Sequence, residues 1–122
     1  MDRRGRRPKQ SIVMKVIYNK LVRDRIPEII AGKGKDFATA VYDELAYHQA
    51  LRQKVIEEAA EVAEVETQAD LIREISDLYE VLDALLAAHD ITKEDVLAMQ
   101  ETQRKNRGGF EHKLELLWVE DG

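Results

Sequence analysis

Glu57-Glu58-Ala59-Ala60-Glu61 and, one helix later, Glu74-Ile75-Ser76-Asp77 are the stretches on which the reading of this chain turns. Each sets carboxylates three residues apart beside an apolar helical stripe. On a helix that spacing brings side chains onto one strip of surface, with Cβ atoms about 5–6 Å apart. At about 100° per residue, Leu51, Val55, Ala59 and Val62 share one arc of the first helix. Glu58 lies on the shoulder of that arc with Glu61 next to it, and Glu57 lies further round, the most exposed of the five acids by angle. On the second helix Leu71, Ile75, Leu78, Leu82 and Leu85 form the arc, Glu74 sits at its edge and Asp77 about 60° beyond. Two such helices joined by a short connection pack antiparallel, so four carboxylates can converge on one cleft. Unpaired, anions that close repel and raise one another's pKa, so the cluster makes sense chiefly around cations. An all-oxygen site suits a hard, small ion such as Mg²⁺ or Mn²⁺. The plainer alternative is a solvated acidic face, because glutamate is a good helix former and 35% of the chain is charged.

Working outward, 122 residues suffice for one core without covalent staples. There is no cysteine, which excludes disulfides and thiolate metal sites. No apolar run approaches the ~20 residues of a membrane span, and the N-terminus has no signal-peptide core, so a cytoplasmic protein is expected. The formal charge of −5 argues against the surface as a nucleic-acid footprint, leaving room for a local basic pocket.

Residues 1–14 open with Arg3, Arg4, Arg6, Arg7 and Lys9 around Gly5 and Pro8 and lack apolar periodicity, the composition of a disordered basic tail. Residues 15–122 are expected to form the functional domain. Val16 to Tyr18 reads as a short extended segment and Leu21 to Ala31 as a short helix or two turns, limited by Pro27. Gly32-Lys33-Gly34-Lys35 reads as a loop, and Phe37 to Tyr42 as extended. Asp43 is the expected N-cap of a long helix from about Glu44 to Glu66, followed by a break at Thr67 to Ala69 and a second helix from Asp70 to Ala88. Thr92 with Asp95 has the form of a capping box opening a third, which Gly108-Gly109 ends. Phe110 to Trp118 alternates apolar and charged residues before turning apolar, which reads as a strand or extended cover pairing with Val16–Tyr18 or a second subunit.

The acidic pattern E-E-x-x-E followed by E-x-x-D resembles the motif of the MazG-like all-α nucleoside triphosphate pyrophosphohydrolases. The opening Tyr18-Asn19-Lys20-Leu21-Val22-Arg23-Asp24-Arg25-Ile26-Pro27-Glu28-Ile29-Ile30 and the tail Arg107-Gly108-Gly109-Phe110-Glu111 are similar to one branch, the phosphoribosyl-ATP pyrophosphohydrolase-like proteins. The likeness runs from about Lys15 to Trp118. It implies an all-α antiparallel helical bundle completed by oligomerisation, with short extended segments at the ends. It also implies Mg²⁺-dependent attack at the α-phosphorus of a nucleotide, yielding a monophosphate and pyrophosphate. Matched residue by residue, Glu58, Glu61, Glu74 and Asp77 are the implied metal ligands. Glu57, with Glu61, takes the catalytic part, as a bridging, second-metal or water-orienting group. Asn19, Lys20, Arg23, Lys54, Lys105 and Arg107 are the implied contacts to substrate phosphates; a solvated basic turn, an intrahelical ion pair and helix-dipole partners are their respective alternatives. Asp83 also fits the branch's pattern. Tyr18, Phe37, Tyr42, Tyr47 and Phe110 are the aromatic residues that could meet a base, and the substrate is expected to be a noncanonical nucleotide removed by house-cleaning, with a histidine-pathway nucleotide as the other option.

Two readings compete. A carboxylate-bridged iron protein wants Glu-x-x-His on two helices, and His48, His89 and His112 are preceded three residues earlier by Leu45, Leu86 and Gly109, so that pattern fails. A non-enzymatic helical oligomeric interaction module with an acidic surface is the second. Leu45, Leu51, Ile56, Tyr79, Leu86 and Leu97 look like more apolar surface than three helices hide, so a homodimer or homotetramer is expected.

Overall fold

The computed structural model describes residues 14–122; the expected basic tail falls outside them apart from exposed Met14. The chain divides into two compact units, Met1–Thr39 and Ala40–Gly122. Within the described part of the first lies α1, Ile26–Gly32. Pro27 stands in its opening turn, where a missing N–H costs nothing because no intrahelical acceptor exists for it. The proline therefore starts this helix instead of limiting one that begins at Leu21, the expectation from sequence. Gly34, at φ +74°, makes the turn after it.

In the second unit three helices begin at side-chain caps, two of them, at Asp43 and Thr92, as the sequence leads one to expect, and the third at Thr67, which the sequence reading places in the break. The carboxylate of Asp43 accepts from the N–H of Ala46 at 2.8 Å to open α2, Glu44–Glu64. Thr67 Oγ1 accepts from the N–H of Asp70 at 3.1 Å to open α3, Gln68–Ala88. Thr92 Oγ1 does the same for Asp95 at 3.1 Å, opening α4, Lys93–Arg107. Thr67→Ala is expected to destabilise the protein by about 1 kcal/mol, the usual value of an N-cap, seen as a lower urea midpoint with an unchanged slope. The break between α2 and α3 falls at residues 65–67, earlier than expected, because Thr67 itself caps α3. Gly108, at φ +84°, ends α4.

α2 and α3 form the hairpin that carries the core; they are the helices of this unit that pack along each other. Leu51, on the inner face of α2, is 2% exposed and is the fully buried hydrophobic side chain among the described residues. Leu86 is half-buried, whereas Leu45, Ile56, Tyr79 and Leu97 remain exposed, so Leu51 alone of the six finds complete cover within the chain.

The architecture is all-α, with no strand among the described residues. Of the strand or extended cover expected over Phe110–Trp118, the strand does not form. A turn closed by Lys113 N–H on Phe110 O, with Lys113 at φ +58°, interrupts the alternation, and the chain from Leu114 onward is irregular and exposed. Val16–Tyr18 is likewise irregular. Alternation marks which side chains could share a face; a ladder also needs a neighbouring edge. No helix of the described residues is long and apolar enough to cross a membrane.

Candidate metal centre

The α2–α3 hairpin sets Glu58 on α2 and Glu74 and Asp77 on α3 so that one carboxylate oxygen from each lies within 4.8 Å of the other two. Hairpin register explains the convergence. Glu58 and Glu74 are equally far in sequence from the middle of the link, so an antiparallel pairing brings them to the same height. Asp77 lies one turn beyond Glu74 on the same strip. The Glu58 and Glu74 side chains are only 16% and 14% exposed, so these charges sit at the margin of the packed face instead of in open water.

Glu61 does not join this trio. It lies about 4.5 Å nearer the link than Glu58 and about 60° round the helix, and its residue is exposed. It remains close enough for its charge to act on Glu58. Glu57, expected to be the most exposed of the five acids, is in fact half-buried, with Lys54 Nζ donating to its Oε1 at 3.2 Å. The angular reading failed here because it placed Glu57 against an isolated helix, without the covering effect of Lys54 or of neighbouring structure. Lys54 Nζ also lies 4.0 Å from Glu58 Oε2, so one ammonium serves two carboxylates.

The electrostatics come from this crowding. Burial is the main cause that lifts the Glu58 pKa above its ordinary value of 4.5, with the nearby charges of Asp77, Glu74 and Glu61 adding to it and Lys54 opposing it. A carboxyl whose pKa is raised on folding holds its proton more tightly in the native than in the unfolded chain. Without metal, stability therefore falls as pH rises from the ordinary carboxylate value through the folded pKa of Glu58, and the loss is complete above it. In EDTA at neutral pH, Glu58→Gln is expected to be at least as stable as the wild type. The difference should shrink as pH is lowered through that window, with urea unfolding at each pH as the measurement.

A donor set of three carboxylates from two helices, one of them strained towards protonation, fits a divalent cation that prefers oxygen. Lys105 and Arg107 are exposed on the last turn of α4, Lys105 with its Nζ 4.0 Å from Glu101. Asn19, at φ +47°, Lys20 and Arg23 are exposed in the first unit. Asp83 faces Lys93 at 3.4 Å. Of the aromatic residues, Tyr18, Phe37, Tyr42 and Phe110 are exposed and Tyr47 is half-buried. One cluster escaped the sequence: the His48 and His89 rings pack with centroids 4.4 Å apart, and Arg52 lies 3.4 Å from His89 Nε2. Nothing in the local spacing signals it, since the contact exists only once α2 and α3 have paired.

An all-helical fold whose paired helices gather carboxylates on one strip defines a class, the helical bundles with a candidate cation site. The family model for phosphoribosyl-ATP pyrophosphohydrolase matches residues 24–106, which include both acidic motifs, and the chain belongs to that family. It is accordingly an enzyme, a nucleotide pyrophosphohydrolase acting on phosphoric anhydrides, and the non-enzymatic reading of its acidic face falls. The match begins beyond Asn19, Lys20 and Arg23 and ends before Arg107. No curated protein and no solved structure matches the chain.

Proposed function

We propose that the protein hydrolyses a nucleoside triphosphate, or a related nucleotide such as phosphoribosyl-ATP, at the α-phosphorus, with Mg²⁺ or Mn²⁺ held by Glu58, Glu74 and Asp77. The observation that carries this reading is the meeting of those three carboxylates within 4.8 Å, inside the segment that the family model matches. Glu61, one turn from Glu58, is assigned a fourth oxygen on the strength of the sequence resemblance. When bound, a divalent cation supplies charge neutralisation on the phosphates and acidifies a coordinated water.

The protein's own groups do the rest. Glu57, held by Lys54 at 3.2 Å, has an oxygen fixed in direction and acts as the acceptor that orients the attacking water and draws its proton. The water oxygen bonds to the α-phosphorus, the bond from that phosphorus to the bridging oxygen breaks, and pyrophosphate leaves. Lys54 offers its ammonium to a phosphate oxygen as well as to the acids. Lys105 and Arg107, and Asn19, Lys20 and Arg23, are assigned to substrate phosphates on the strength of the sequence resemblance. House-cleaning of a noncanonical nucleotide is the preferred role, and a homodimer or homotetramer the preferred state. The exposure of Leu45, Ile56 and Tyr79, at 70%, 62% and 63%, supports the latter.

The test is a panel of canonical and modified nucleoside triphosphates and phosphoribosyl-ATP, incubated with Mg²⁺ or with EDTA. Pyrophosphate release that requires the metal, with a modified base favoured at least about tenfold in kcat/KM, is expected; tenfold corresponds to ~1.4 kcal/mol of transition-state discrimination. Release of orthophosphate instead would overturn attack at the α-phosphorus, and preference for phosphoribosyl-ATP would overturn house-cleaning.

A further inference from the structure

The chain beyond α4 presents a second feature that the acidic site does not use. Phe110, Leu114, Leu116, Leu117, Trp118 and Val119 are each more than three-quarters exposed. Each large aromatic side chain offers roughly 150–250 Å² of surface, so this short arm leaves on the order of 1,000 Å² of largely apolar area in water. α4 has the complementary deficiency. Every one of its residues is exposed, and a helix of about this length is marginal in water unless an apolar face is covered. That face exists: Ile91, Val96 and Met99 line a groove of about 1100 Å³ whose wall also carries Arg104 and Arg107 and, from the start of the arm, Phe110 and Glu111.

From these observations we infer that the free part of the arm, residues 114–122, docks in the α4 groove of a second copy of this chain, and that the exchange is reciprocal. The inference rests on the homo-oligomer proposed above and names the element that makes it. Charge points to the same occupant. The groove wall carries Arg104 and Arg107 against the single α4 acid Asp95, and the arm carries Glu115, Glu120 and Asp121. Arg104 already engages Glu111, the arm's first acid, at 2.7 Å. Area points there too. Two arms and two grooves covered together remove at least the roughly 1,200–2,000 Å² that a stable interface buries. The departure of the arm is fixed by Gly108, at φ +84°, and by the Arg104–Glu111 pair, which hold its first residues at the end of its own groove.

Trp118 is the single tryptophan of the sequence, so its emission reports the arm alone. Sedimentation equilibrium and Trp118 emission would be followed over the same dilution series, for the wild type, Met99→Asp in the groove, Leu116→Asp in the arm, and an equal mixture of the two variants. The expected result is an oligomer whose formation shifts Trp118 emission to the blue. Each variant should raise the dissociation constant at least about tenfold, with helical circular dichroism unchanged, and the mixture should recover part of the affinity. Recovery is the signature of exchange, because a mixed pair keeps one intact arm seated in one intact groove. An oligomer with Trp118 still solvated, or unmoved by either variant, would overturn the arm while leaving the oligomer standing. A monomer at every concentration would overturn both. Blue-shifted emission in a monomer, with no recovery on mixing, would mean that the arm folds onto its own groove and would also refute the exchange.

Discussion

Glu58→Gln and Asp77→Asn are each expected to lower metal-dependent pyrophosphate release by at least the roughly 10–100-fold that loss of a mere outer-shell partner costs a metal site. The substitutions keep shape and volume while removing the charge that a cation needs. Their consequence for the fold should run the other way. Glu58 stands at 16% exposure, so its neutral form relieves first the cost of burying a charge and then the repulsion from its acidic neighbours, both of which the metal-free wild type carries. Loss of activity with stability in EDTA kept or raised therefore separates a ligand from a structural residue. Melting in a Mg²⁺ series supplies a second readout. A cation that binds only the folded wild type raises its stability by ~2.7 kcal/mol at a hundred times the dissociation constant, and each variant should lose most of that response. Unchanged turnover in both variants would refute the metal centre.

Leu51→Ala is expected to destabilise the chain by about 2–5 kcal/mol, the range for emptying a buried leucine site. Against a total stability of about 5–15 kcal/mol, that is enough to bring the protein near its unfolding threshold. Leu51 is the side chain that seals the hairpin, at 2% exposure, and the site's geometry depends on the height at which α2 and α3 face each other. Activity should consequently fall at temperatures where the variant is still mostly helical. Ile56→Ala, on the same helix but 62% exposed, is the comparison: it should cost within about 0.5 kcal/mol in dilute protein. Urea unfolding of both variants decides the matter, and equal losses would show that the core has been misplaced.

The helices and their caps were legible because the information is local. Asp43 and Thr92 satisfy N–H groups three residues away, and apolar spacing reveals a helix without knowledge of its partner, whereas Thr67, read as part of the break, caps α3 in the same way. Pro27 was misread for a related reason: the residue type disturbs a helix interior and suits a helix start, and only the start position distinguishes them. The alternation of residues 110–118 was real, yet it specified no strand, because pairing depends on an edge elsewhere.

The sequence by itself determined an all-α chain, the two acidic strips and the family to which both belong. Tertiary structure decided which acids meet. Glu58, Glu74 and Asp77 come together, Glu61 stays outside the group, and Glu57 is drawn to Lys54 and half-covered. The physical reason is that helical period fixes angles around one axis, whereas the distance between carboxylates on two helices depends on their relative height and rotation. Those are set by how side chains such as Leu51 pack between them.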